Sequence, residues 1–138
     1  MRRTRVALFV HVVWGTWDRL PLLVGETEPQ VYHCIEATCI EMGAELIAIG
    51  GVEDHVHLLA RLPATISVAD LVKQVKGASA HLATHEIAPD RFFKWQGGYA
   101  AFSIGQSRVA ATRDYITRQK EHHRTGFLIP EWEDDSAS

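Results

Sequence analysis

The fold class this sequence predicts is α+β, a single domain built on an antiparallel sheet, and two observations carry that prediction. Apolar spacing switches between a period of two and a period near 3.6 along the chain, giving the order strand, helix, strand, strand, helix, strand, helix. The length, 138 residues and 15.4 kDa, suits one domain and leaves little room for a second core. Hydrophobic residues are 46% and charged residues 22%, with 10 Gly and 5 Pro, which excludes disordered and fibrous chains. A chain of this size buries roughly two-thirds of its unfolded surface, so no metal or disulfide staple is needed for stability.

From Arg5 to Trp17 the β-branched and aromatic residues Val6, Phe9, Val10, Val12, Val13 and Trp14 predict a buried first strand. Arginines precede it, but His11 interrupts the run and no small-residue cleavage site follows, so it does not read as a signal peptide. After the turn material DRLPLLVGETEP, Val31, Cys34, Ile35, Thr38, Cys39 and Met42 fall at helical spacing over 29–42, with Thr27 as cap and Gly43 as stop. Two strands follow, 45–51 and 56–62, joined by the Gly-containing connection GGVED and closed by Pro63. Ser67 caps a long helix reaching about Glu86, with Asp70 three residues on and an apolar stripe of Val68, Leu71, Val72, Val75, Ala78 and Leu82. RFFKWQGG is a loop, YAAFSIG the fourth strand, and Ser107 the cap of a last amphipathic helix over 108–124. The first six elements match a ferredoxin-like split βαβ sandwich, a four-stranded antiparallel sheet with helices on one face. The domain is expected over 1–128, followed by a short acidic tail, 129–138.

The net charge of −3 conceals a regional split. Residues 65–125 carry nine basic and five acidic side chains, whereas the last eight residues, EWEDDSAS, hold four acids and no base. A phosphate-bearing partner for the middle region therefore stays open. Cys34 and Cys39, five apart, point about 140° away from each other on a helix and are expected to stay reduced. No stretch approaches the roughly 20 apolar residues of a membrane span, and the expected location is the cytoplasm.

Two constellations carry possible chemistry. In His55-Val56-His57 strand alternation puts both imidazoles on one face, where they suit a divalent cation; without further support they read equally as polar surface. On the last helix Tyr115 and Gln119, four apart, share a face, as a nucleophile and an oxygen donor or as ordinary packing and surface residues. Lys73, Lys76 and Arg113 are candidate phosphate contacts, and Trp95, in an aromatic-basic run, a candidate platform for unpaired bases. Asp54 could orient His55 or simply serve the turn, while His11, and His81 with His85, have no evident partner.

Five blocks in order, FVHVVWGTWDR, GGVEDHVHLLARLP, ISVADLVKQVKGASAHL, FKWQGGYAAFSIG and DYITRQKEHHRTGF, resemble the single-tyrosine HUH transposases of bacterial insertion sequences and the related REP-associated tyrosine transposases. The resemblance covers about residues 5–127. It implies a metal-dependent transposase that cleaves and rejoins single-stranded DNA near hairpins through a 5′-phosphotyrosine. By that resemblance Tyr115 is the nucleophile, His55, His57 and Gln119 are ligands to Mg²⁺ or Mn²⁺, and the enzyme is a homodimer that can share active sites. His122 and His123 close the same motif as further candidate ligands. Two alternatives remain at this point, a catalytically silent nucleic-acid-binding module and a metal-dependent hydrolase that uses water in place of Tyr115.

Overall fold

The computed structural model describes residues 3–125 and 129–133. Four strands, β1 (Leu8–Gly15), β2 (Glu45–Val52), β3 (His55–Leu62) and β4 (Ala100–Ile104), form one antiparallel sheet in the order β2-β3-β1-β4. That is the split βαβ arrangement, with the β3–β1 pair in the middle. Helices α1 (Thr27–Glu41) and α2 (Val68–Leu82) pack against each other over one face. The C-terminal helices α3 (Val109–Thr117) and α4 (Gln119–Thr125) lie against the other face, and a short turn of helix, α5 (Pro130–Glu133), closes over the same side.

Alternation along the two central strands explains the division. Val10, Val12 and Trp14 of β1, with Val56, Leu58, Ala60 and Leu62 of β3, meet Val31, Ile35, Leu71 and Val75 in the main core. The intervening residues, His11 on β1 and His55, His57 and Leu59 on β3, face the C-terminal helices, where a smaller cluster of Ala48, Leu59, Tyr115 and Ile116 forms. Because both faces are covered, β3 reads as a mostly apolar run whose exceptions are the two histidines and the half-buried Arg61 near its end.

Several expectations on boundaries are corrected. α1 starts at Thr27, two residues earlier than the spacing predicted; Glu26 holds the cap position without a side-chain cap bond, and Thr27 is inside the helix. Ser67 does cap α2, its hydroxyl accepting from the Asp70 N–H at 3.0 Å. Ser107 caps nothing: it lies in a 3-10 turn, Gln106–Arg108, and α3 starts at Val109 without a side-chain cap. The expected continuous helix over 108–124 is broken at Arg118, with φ −109° and ψ 28°. At the break the Thr117 hydroxyl donates to the Arg113 carbonyl at 3.0 Å, a backbone-directed bond that Thr makes inside helices.

Trp95, expected as a base-stacking platform, belongs to the main core. It is 6% exposed, meets Trp14 and Phe93 edge-on at 5.7 and 4.9 Å, and donates its indole N–H to the Ser79 hydroxyl at 2.9 Å. A ring buried to that extent offers no free face to a base. The aromatic residue left outside in that run is Phe92, 57% exposed, beside Arg91 in a cleft with Leu20 and Val24.

Candidate active site

His55 and His57 sit on the central strand, paired on both edges, so their backbone positions are among the best constrained in the fold. Both are buried, at 1% and 0% exposure. Each ring has a partner on Nδ1. The His55 Nδ1 lies 2.7 Å from Asp54 Oδ1, with the Arg19 guanidinium 3.0 Å away. Arg19 and its neighbour Asp18 both take left-handed backbone angles, φ 53° and 55°, a costly conformation that the surrounding loop holds in place. The His57 Nδ1 lies 2.9 Å from Nε2 of His11, which is fully buried on the same face.

With Nδ1 engaged on both rings, the two Nε2 atoms turn toward one point, and Glu133 of α5 occupies it. Its Oε1 is 2.9 Å from His55 Nε2 and 3.4 Å from His57 Nε2, and also 2.9 Å from Nε2 of His123. Its Oε2 accepts a hydrogen bond from the Tyr115 hydroxyl. That hydroxyl in turn accepts from the Ile129 N–H at 3.1 Å, and the Tyr115 ring is flanked by His122, stacked at 4.9 Å, and the edge of Trp132 at 5.1 Å. One carboxylate thus touches the histidine pair and the tyrosine of the same chain.

The charges follow from this geometry. Burial disfavours a charged His55, but hydrogen bonding with Glu133 and Asp54 outweighs it and raises the pKa above the ordinary histidine value. At His57 burial wins and the pKa falls. Burial pushes the Glu133 carboxyl up, yet the hydrogen bonds with His55 and His57 hold it far below the usual range. Tyr115 is pushed up to about 12, by burial and by Glu133, and His11 is lowered to about 3, by burial and by His57.

Donor atoms of His55, His57 and Glu133 lie within 4.8 Å of one another, a spacing that would suit a single metal ion. The donor set, two imidazoles and a carboxylate, fits a divalent cation of the borderline-to-hard kind, and the engaged Nδ1 atoms leave Nε2 as the ligating nitrogens. Gln119 is fully enclosed nearby, but its amide is turned to neighbours: Nε2 donates to the Tyr115 carbonyl at 3.3 Å and Oε1 lies 3.2 Å from His123. Tyr115 and Gln119 therefore stand next to each other across the helix break instead of on one helix.

Among the other candidates, Lys73 on α2 and Arg113 on α3 are exposed on elements that cover opposite faces of the sheet. Lys76 donates to the backbone carbonyls of Gln96 and Gly98, at 2.6 and 3.0 Å, and so fastens the loop ahead of β4. Lys94 lies 4.0 Å over the ring of Trp17. The residues that sequence reasoning left without a role are His11, Arg19 and Glu133. His11 could have been found from parity, since it shares a sheet face with His57 once the strands are paired. Glu133 carried no signal: it is one of four acids in an eight-residue segment. No helix among the described residues is long and apolar enough to cross a membrane.

Comparison with known proteins identifies the family and the fold. The family model described as IS200-like transposase matches residues 4–119. The ISDra2 transposase TnpA of Deinococcus radiodurans is 26% identical over 116 residues, covering 80% of this chain and 83% of the relative. The transposase of insertion sequence IS200 from Salmonella typhimurium is 26% identical over 132 residues, covering 91% and 86%. A crystal structure of a Deinococcus radiodurans protein assigned as a transposase superposes with a TM-score of 0.69 at 26% identity, over 84% of this chain and 95% of that one. A REP-associated tyrosine transposase bound to a REP hairpin shares the fold alone, with a TM-score of 0.65 at 17% identity, over 93% and 74%. A match along most of its length, on the fold that those relatives use, makes this chain a member of the IS200-like transposases, enzymes that cut and transfer DNA strands.

Proposed function

We propose that this transposase cleaves and rejoins single-stranded DNA at hairpin-flanked element ends through a 5′-phosphotyrosine on Tyr115. The observation that carries the reading is the convergence of the Tyr115 hydroxyl and both Nε2 atoms of His55 and His57 on one carboxylate. A carboxylate and a phosphate diester present oxygens of similar spacing and charge, so the place where Glu133 sits is one where a scissile phosphate fits. In the proposed step the Tyr115 oxygen attacks phosphorus in line, the bond from phosphorus to the 3′ oxygen breaks, and the departing 3′ oxygen leaves as a hydroxyl with the proton lost by the tyrosine. A phosphotyrosine ester keeps the bond energy of the diester, so a second 3′ hydroxyl reverses the step without ATP.

His55 and His57, with Gln119 or Glu133 as the oxygen donor, would hold Mg²⁺ or Mn²⁺, which supplies polarisation of the scissile phosphate when bound. Asp54 and His11 keep the two imidazoles turned toward it. DNA entry requires Glu133 to give up its bonds to Tyr115 and the histidines. Lys73 and Arg113 are the proposed phosphate contacts outside the site, with a salt-dependent contribution to affinity. Function as a cytoplasmic homodimer belongs to the same proposal, supported by the family resemblance, and light scattering of the purified chain tests the assembly.

The decisive experiment incubates the protein with labelled single-stranded DNA from the flanks of its own gene, with Mn²⁺ or with EDTA, and resolves the products on a denaturing gel. A metal-dependent, protease-sensitive adduct that disappears in Tyr115→Phe is the expected result. An adduct in that variant overturns the assignment of the nucleophile, and metal-dependent cleavage by it points to a hydrolase that uses water. Hairpin binding without any adduct from the wild-type protein would leave a silent binding module.

A further inference from the structure

We infer that His11 is a positioning residue for the metal site, acting through His57 by fixing the tautomer in which the Nε2 lone pair faces the ion; this rests on the metal reading above. A neutral imidazole carries one N–H, and a ring that ligates through Nε2 must carry it on Nδ1 and find an acceptor there. For His57 that partner is Nε2 of His11, 2.9 Å away.

The placement follows from strand register. Val13 stands opposite His57 and His11 opposite Leu59, so His11 is the diagonal neighbour of His57 on the same face of the β1–β3 pair. Three rings hold it there: His57, stacked at 5.1 Å between centroids, Trp132 edge-on at 4.7 Å and Phe102 at 6.0 Å. The ring is fully buried, and its Nδ1 has no hydrogen-bond partner among the described residues. A buried imidazole that served packing alone would be better replaced by an apolar ring, because leaving a ring nitrogen unpaired away from water is unfavourable. Among the described residues the one hydrogen-bond contact of His11 is to His57, and that contact is the use of its being a histidine. Asp54 stands in the same relation to His55, at 2.7 Å, so each histidine has its own orienting group from a different element.

The test is Mn²⁺ binding to the full chain without DNA, followed by electron paramagnetic resonance of the free ion, with melting temperatures recorded in parallel. His11→Phe keeps the packing and removes the acceptor, and is expected to weaken Mn²⁺ binding by roughly 10- to 100-fold. His11→Gln, whose amide oxygen reaches about as far as Nε2, is expected to recover most of that loss. At saturating Mn²⁺ the adduct rate of His11→Phe is expected to return toward wild type, which a general loosening of the fold would not permit. Unchanged Mn²⁺ affinity in His11→Phe overturns the inference, as does a His11→Gln variant that melts like wild type yet binds Mn²⁺ as weakly as His11→Phe. If His11→Phe does not fold, the imidazole ¹⁵N shifts of wild type with Mg²⁺ decide: His57 protonated on Nδ1 supports the inference and on Nε2 overturns it. A His57→Ala variant that binds Mn²⁺ like wild type overturns instead the metal reading on which the inference stands.

Discussion

Gly50 on β2 lies directly under the carbonyl of Ile116 on α3: a Cβ at Gly50 would stand 2.1 Å from that oxygen. Backbone is in the way, and backbone cannot swing aside as a flexible side chain does. The bare glycine is what lets α3 descend onto the sheet beside β3 and brings Tyr115, one residue before Ile116, to the level of the histidines. Gly50→Ala is therefore expected to lift α3, to cost about 1–3 kcal/mol of stability, and to reduce adduct formation at least tenfold while Mn²⁺ binding, set from β3, changes little. Thermal melts and the denaturing-gel assay on one preparation check this, and wild-type adduct rates in the variant would show that the approach of α3 is not limiting.

Glu133 holds the nitrogens and the hydroxyl that the proposed function gives to a substrate phosphate, so the two are expected to compete. Ending the chain after residue 128 removes that carboxylate together with the remaining acids of the last eight residues, and should strengthen single-strand binding several-fold at low salt. Glu133→Gln separates the contributions: it removes one charge and one of the two acceptor oxygens shared by Tyr115 and the histidines but keeps the rest of the segment. Binding isotherms at two ionic strengths are the measurement, and an affinity unmoved by either change would count against the competition.

Ser79 is buried on α2, and its hydroxyl is the acceptor for the Trp95 indole. Ser79→Ala leaves a buried N–H without an acceptor, which costs about 1–3 kcal/mol. The melting temperature should fall by several degrees with DNA binding at low temperature preserved, because Trp95 is core. Loss of binding without loss of stability would instead restore Trp95 as a DNA contact.

Two thiols of unequal reactivity are expected. Burial raises the pKa of Cys39 to about 11 and raises that of the half-buried Cys34 as well. A raised thiol pKa means less thiolate at a given pH, so reaction with a disulfide reagent at pH 8 is slow and accelerates as the pH rises. Cys34 should react first, and Cys39, with no exposed surface, only on unfolding. Equal rates for both in the folded protein would contradict the packing of α1.

The two sides of the sheet were unequally legible in the sequence. The order of elements, the division of α1, β2, β3 and α2, and the Ser67 cap follow from local spacing and local hydrogen bonds, which one chain segment carries by itself. His55, His57 and Tyr115 stood out through the family resemblance of the blocks that hold them, since residue type and spacing alone leave them open as surface or packing residues. The break at Arg118 did not, since apolar periodicity runs through it and the bond from the Thr117 hydroxyl to the backbone recurs at Thr38 and Ser79 inside unbroken helices. Trp95 was misread because an aromatic among basic residues looks the same whether its ring faces solvent or a buried Ser79 more than a dozen residues away. Glu133 was invisible for a simpler reason: its meaning depends entirely on where a tail returns, and acidic composition says nothing about direction.

The pairing of β3 on both edges also sets how the molecule can move. Amide protons around His55 and His57 lie in ladders shared with β1 and β2 and open only when the sheet itself opens, so they should be among the slowest in the protein to exchange with deuterium. Tyr115, the proposed nucleophile, lies on the nine-residue α3, which is seated on Gly50 at Ile116 and joined to α4 at a break. On the proposed function, the rearrangement that admits a strand of DNA falls to Glu133 and the C-terminal helices, and the histidine pair is the fixed stage on which that motion plays out.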